Sequence, residues 1–312
     1  PMNFEDVAFR CNLIATDGER LLDYSGGHIS TEEARILIGT IQEKLGTGRL
    51  QFYPGVSYRH LMLWREGKDN LRAFPPHDIQ GQPLEPNLPE GDGEKMLRRL
   101  MWDSLEILDN HEINKRRRDE GKLPANMIWL WGQGRAPRLP GFLSRYGLTG
   151  SMISAVDLLK GIARLIGLQV IEVPGATGYR DTNYLGKARY ALESLQNRDF
   201  VCIHIEAADE SGHEGNIDGK IASLEDIDSK VIGPLMEGLV EFNEYRILAL
   251  PDHPTPIEVR THVPDPVPFV LAGTGIPEKG SRHGYDEICA EEWPLFIEEG
   301  HRLIERLFAS PL

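Results

Sequence analysis

Apolar positions along the chain recur with two different periods. Ile221, Leu224, Ile227, Val231, Leu235 and Leu239 fall three or four residues apart, the spacing of one helix face, and predict a long amphipathic helix over 220–239. Short apolar runs at 168–173, 200–205, 245–250 and 268–272 predict buried strands. Helical patterns over 149–165, 184–196 and 286–308, the last perturbed by Pro294, lie among them. This alternation is that of a mostly parallel sheet covered by helices, an α/β fold.

The preceding part of the chain is less regular. Residues 9–16 and 58–64 and the run NMIWLWGQG read as strands, and 32–44 and 95–110 as helices. FPPHDIQGQPLEPNLPEGDGE, rich in proline, glycine and acids, reads as a surface loop, and KRRRDEGKLP as a solvated basic turn. The pattern changes near residue 140, which predicts two domains, 1–140 and 141–312, a division that 312 residues can supply with cores.

Three clusters of metal-ligating residue types occur beside the predicted strands. Asp209 and His213 lie four positions apart in a polar, glycine-punctuated loop after the 200–205 strand. Asp252 and His253 lie in a tight proline-flanked loop after the next strand, and His262 precedes the apolar 269–271. Ligand crevices of open α/β sheets form beyond the carboxyl ends of strands, where the first two clusters fall. A pair in a loop is ordinarily a hydrogen-bonded surface pair, but capping alone does not account for three such clusters. Imidazole and carboxylate donors suit Zn²⁺ or Mn²⁺, with Mg²⁺ or Co²⁺ as alternatives, and two such ions are suited to phosphoryl transfer.

Composition narrows the partners. A formal net charge of −14 argues against nucleic acid, while bound cations would still admit an anionic substrate. No apolar run approaches the roughly 20 residues of a membrane span, so the expectation is a cytoplasmic protein with no membrane partner. Three widely spaced cysteines, Cys11, Cys202 and Cys289, read as reduced, buried thiols. WGQGRAP and PGATGY match neither a Walker A loop nor a dinucleotide fingerprint. The oligomeric state is not legible.

The runs DVAFRCN, GGHISTEEA, FYPGVSYRH, PPHD, IWLWGQG, ISAVDLLKG, PGATGYRDTNY, HIEAADESGHEG, LPDHPTP and RTHVPDPVPF together resemble the archaeal-type 2,3-bisphosphoglycerate-independent phosphoglycerate mutases of the alkaline phosphatase superfamily. The resemblance implies an alkaline-phosphatase-like metal domain, of which 141–312 is the C-terminal portion, and a substrate-binding domain at 1–140. It implies two divalent metal ions, one held by Asp209, His213 and His262 and the other in part by Asp252 and His253. It implies interconversion of 3- and 2-phosphoglycerate, a glycolytic and gluconeogenic step, through a phosphoserine intermediate.

Substrate-binding roles are expected for three residues. His28 precedes a helix whose Ser30 and Glu33 have capping-box spacing, and helix N-termini favour anions. Arg59 opens a strand and has the planar fork that matches a carboxylate or phosphate. Lys160 is, by the resemblance, the lysine that reaches the transferring group. In the family a segment before DVAFRCN supplies the first strand of the metal domain, an aspartate ligand and the nucleophilic serine. The expectation is therefore that this chain lacks that N-terminal part, that its catalytic nucleophile is unknown, and that it is inactive alone; Ser25, Ser211 and Ser281 are not assigned the role. Two other readings stay open: a related phosphotransferase or phosphohydrolase on another small metabolite, homoserine kinase-like, and a non-catalytic metal- or phosphometabolite-binding protein.

Overall fold

A computed structural model describes residues 2–277, 284–293 and 295–309. Ser281 and Pro294 lie outside the described residues. The chain divides into two units, Pro1–Arg138 and Leu139–Leu312.

The first unit is built on an antiparallel sheet. Strand β1 (Val7–Thr16) pairs along one edge with β4 (Arg59–Trp64) and along the other with β7 (Met127–Arg135); β3 (Leu50–Val56) adds outside β4, and β2 (Leu21–Asp23) pairs with the end of β1. Val7, Phe9, Cys11, Leu13, Ile14 and Ala15 of β1 are all fully buried, as a central strand covered on both faces requires. Helices α1 (Thr31–Leu45) and α2 (Glu94–Asp109) bury Leu37, Ile38, Ile41, Leu97 and Met101 against this sheet in one core with Trp129. β3 escapes sequence patterning because Pro54 and Gly55 interrupt it; as an edge strand with a register shift after Tyr53 it tolerates both. The acidic, proline-rich loop holds two 3-10 turns, at Pro76–Ile79 and Glu85–Asn87, and the short strand pair β5 (Leu71–Arg72) and β6 (Glu90–Gly91) closes around it.

The basic segment is solvated at Lys115, Arg116 and Arg118, as expected, but it is helical rather than a turn and Arg117 is not at the surface. The segment forms helix α3 (Glu112–Asp119), and Arg117 within it is buried, donating to the carbonyls of Leu123, Gly26 and Gly27 and pairing with Glu33 at 2.7 Å. The Arg117 charge therefore braces the interior rather than solvating the surface.

In the second unit, α4 (Phe142–Tyr146) leads to the parallel sheet β10 (Phe200–Ile203), β8 (Gly150–Ile153) and β9 (Gln169–Ile171), in that spatial order. The helical pattern over 149–165 is half right. Its first residues are β8 at the centre of this sheet, and the helix α5 starts only at Asp157 (Asp157–Leu165). A short apolar run does not separate the two by periodicity, and strand pairing on both sides decides it. Helix α6 (Tyr184–Leu195) packs on this sheet. The loop expected around Asp209 is helix α7 (Ala207–Glu214), ended by Gly215 in the left-handed conformation at φ 70°. The 220–239 helix consists of α8 (Ile217–Ile227), a π-type segment Asp228–Ile232 and α9 (Gly233–Leu239). Pro234 sits in the first turn of α9 and cannot donate to the carbonyl four residues back, which the widened segment accommodates.

Strands β11 (Arg246–Ala249) and β12 (Val270–Gly273) pair antiparallel with each other, so the described strands form a three-stranded parallel sheet plus this ribbon. The expected 286–308 helix resolves into α10 (Glu287–Glu291), a 3-10 turn and α11 (Leu303–Phe308). The three cysteines are free; Cys11 is buried, whereas Cys202 and Cys289 are partly exposed. Among the described residues no helix is long and apolar enough to cross a membrane.

Candidate metal centre

The turn from β10 into α7 places Asp209 in the first helical turn, where the positive end of the helix dipole favours a carboxylate. His213 follows at i+4 and shares its face. Helix α7 approaches the 252–262 loop closely because it carries glycines there. A Cβ on Gly212 would lie 2.6 Å from the Thr255 carbonyl oxygen, and one on Gly215 would lie 2.6 Å from the Arg260 guanidinium. Lys220 of α8 fastens the same loop, donating to the Thr255 carbonyl at 2.7 Å.

The result is a three-donor set from two segments. Asp209 Oδ2 lies 3.3 Å from His213 Nε2, Asp209 Oδ1 lies 3.4 Å from His262 Nε2, and the two Nε2 atoms are 3.1 Å apart. Ligand atoms about 2.0–2.1 Å from a tetrahedral ion stand roughly 3.3–3.4 Å from one another, so these three side chains fit a first-row divalent cation. Among the described residues they are the group of three whose donor atoms gather closely enough to hold one.

The donors are held by further contacts. The Thr255 hydroxyl donates to Asp209 Oδ1. His213 Nδ1 lies 3.0 Å from the Arg260 carbonyl oxygen; donating there leaves the Nε2 lone pair toward His262 and Asp209. Arg260 adopts φ +56°, a left-handed conformation costing an L-residue about 1–3 kcal/mol, and its carbonyl is the one that meets His213.

Asp252 and His253 lie alongside. His253 Nε2 is 3.4 Å from Asp252 Oδ2, its Nδ1 is 4.0 Å from Asp209 Oδ1, and its ring centroid is 3.7 Å from that of His262. These two side chains contribute two more donors without joining the three-donor set.

Four neighbouring residues were not singled out from the sequence: Thr255, His204, Glu206 and Lys187. His204 Nδ1 is 3.4 Å from Ser154 Oγ; burial pushes its pKa down, against the attraction of Asp252 and Asp209. Burial pushes the Glu206 carboxyl up, and the like charges of Glu210 and Asp209 add to that. Lys187 carried a signal, since it falls on the helix face of Tyr184, Ala188 and Ala191, all buried.

The proposed substrate residues divide between the units. In the first unit, exposed His28 stands in a turn at φ +51° just before α1. The Ser30 hydroxyl caps the Glu33 N–H, but the Glu33 carboxylate holds Arg116 and Arg117 instead of completing a capping box. Ser57 donates from its backbone to the Thr31 hydroxyl and from its own hydroxyl to the Ile29 carbonyl, tying the Arg59 turn to the His28 turn. Arg59 is exposed, with its guanidinium 5.4 Å from the Tyr58 ring centroid. In the second unit, Lys160 Nζ is 2.6 Å from Glu172.

Residues 46–291 match the family model of the Metalloenzyme superfamily. A Geobacter sulfurreducens protein named as a probable 2,3-bisphosphoglycerate-independent phosphoglycerate mutase is 52% identical over 97% of this chain and 77% of its own length. The chain belongs to this mutase family. A mutase of the same name from Methanosarcina barkeri is 50% identical, over 96% of this chain and 76% of its own. Among solved structures, the cofactor-independent phosphoglycerate mutase of Thermoplasma acidophilum superposes with a TM-score of 0.66 at 25% identity, covering 97% of this chain and 76% of that one. A Pyrococcus horikoshii protein superposes with a TM-score of 0.75 at 27% identity, over 94% of this chain and 70% of its own. The chain thus spans about three quarters of the length of its phosphoglycerate mutase relatives.

Proposed function

We propose that this protein interconverts 3-phosphoglycerate and 2-phosphoglycerate in the cytoplasm, as a step of glycolysis and gluconeogenesis, with divalent cations bound in its second unit. The observation that carries this reading is the convergence of Asp209, His213 and His262, of which His213 and His262 are 49 residues apart in sequence, in a chain of the mutase family. One carboxylate and two imidazoles without a thiolate favour Mn²⁺ or Zn²⁺. Asp252 and His253 are the donors this chain offers a second ion.

When bound, such cations polarise phosphoryl oxygens and offset the charge that develops on them. The protein's own groups orient the reactants. Thr255 and the Arg260 carbonyl keep the ligand lone pairs aimed, and His28 and Arg59 bind the substrate's carboxylate or phosphate. Lys160 meets the transferring group by exchanging Glu172, an exposed partner that holds it weakly. The phosphoryl group leaves one glycerate hydroxyl for a serine Oγ and returns to the other hydroxyl. No serine among the described residues is assigned as that nucleophile; Ser211, beside the ligands, donates its hydroxyl to the Ala207 carbonyl.

The test is phosphorus NMR of the complete gene product with 3-phosphoglycerate and Mn²⁺, without added bisphosphoglycerate. Formation of 2-phosphoglycerate that stops with a chelator is expected. Release of inorganic phosphate alone, or turnover indifferent to metal, would overturn the proposal.

A further inference from the structure

Lys187 is fully buried, an unusual place for a lysine. It sits on the inward face of α6, and its Nζ donates to the His204 carbonyl at 3.1 Å. Burial lowers its pKa to about 8 against the pull of Glu206, so at neutral pH the group is largely an ammonium. Burying a cation is unfavourable unless it is compensated, and compensation here comes from the hydrogen bond to the His204 carbonyl and, without an ion-pair contact, from the longer-range attraction of the Glu206 carboxylate. Glu206 is itself confined. Its Oε2 occupies the space a side chain on Gly178 would need, 2.5 Å from where that Cβ would stand.

These two partners occupy special positions. His204 is the first residue beyond β10, and Glu206 is the last before α7. One ammonium therefore hydrogen-bonds the first residue of the three-residue turn from which α7 departs and attracts the charge of its last, and α7 carries Asp209 and His213.

We propose that Lys187 is a positioning residue for the metal centre: it holds the 204–206 turn so that α7 presents Asp209 and His213 to His262. The inference rests on the reading of those three residues as metal ligands. A space-filling role would be met equally by a methionine of similar length. The bond to the carbonyl and the attraction to Glu206 would not.

The experiment compares the full chain with its K187M and K187R variants by amide hydrogen exchange without metal, and by calorimetric titration with Mn²⁺. For K187M, exchange over 207–214 is expected to quicken about tenfold or more while 184–195 keeps its protection, and Mn²⁺ affinity to fall about 10–100-fold, as for other groups that orient ligands. K187R, which retains a cationic donor, is expected to recover most of both. Unchanged protection over 207–214 would overturn the proposal, as would equal loss over 184–195 and 207–214, the mark of general destabilisation. If K187M does not fold, E206Q takes its place: it removes the counter-charge and leaves the lysine packing intact. Faster exchange over 207–214 in E206Q supports the proposal, and no change overturns it. A wild-type chain that binds no Mn²⁺ would refute the metal reading alone, because the exchange comparison does not depend on metal.

Discussion

His213 Nε2 and His262 Nε2 stand 3.1 Å apart, with Asp209 bridging them through its two oxygens. Two imidazole nitrogens that close require a shared proton or a shared cation. Because each donor is one of three, D209A and H262A are each expected to lower Mn²⁺ affinity by about 100-fold or more, beyond the usual effect of changing a supporting group. Metal content by elemental analysis after dialysis checks this; wild-type stoichiometry in both variants would remove the assignment.

Thr255 tests the support around that set. T255V keeps the shape of the side chain and deletes the hydroxyl that donates to Asp209 Oδ1. Mn²⁺ affinity is expected to fall about 10–100-fold with the circular dichroism spectrum unchanged. Calorimetry that finds wild-type affinity would leave the hydroxyl without a role.

His28 and Arg59 share neighbouring turns through Ser57. Under the proposed function, H28A and R59A of the complete protein should each lower kcat/KM by about tenfold or more, the loss of a hydrogen bond to a charged group. Their metal content should stay that of the wild type. Steady-state assay alongside elemental analysis separates these outcomes from a loss of fold.

His60 makes a prediction about pH. Its Nδ1 accepts the Gly55 N–H at 3.0 Å, which puts the ring proton on a buried Nε2 without a hydrogen-bond partner, and burial pushes the pKa from 6.5 down to about 4. The folded state thus holds the neutral ring. As pH falls from 6.5 toward 4 the unfolded chain takes up a proton that the folded chain does not, and about 3 kcal/mol of stability is lost across that window. Ring resonances of His60 that stay neutral until near pH 4 are expected; titration near 6.5 would refute the account.

Much of the second unit was legible because period and residue type agree there. The face of Ile221, Leu224, Val231 and Leu235 read as helical and is helical apart from the π-type segment at Asp228–Ile232. The strands β10, β11 and β12 are likewise close to their predicted places. Short segments read less well. Gly150–Ile153 became a strand because β9 and β10 pair with it, and Ala207–Glu214 became a helix although its polar composition resembles a loop. Arg117 read as solvated because nothing in KRRRDEGKLP announces the carbonyls of Gly26 and Gly27 that it meets some 90 residues away.

The sequence by itself determined which donors the protein has, Asp209, His213, Asp252, His253 and His262, and the family to which its motifs belong. The resemblance already grouped Asp209, His213 and His262 apart from Asp252 and His253; only the tertiary structure decided how closely the donor atoms of the first three approach one another. It alone decided that Thr255 and the Arg260 carbonyl contact the ligand side chains, and that Lys187 is buried against the His204 carbonyl. The reason is physical: hydropathy and spacing report interactions along one element, whereas a metal centre depends on donor atoms brought within a few ångströms by packing between distant segments.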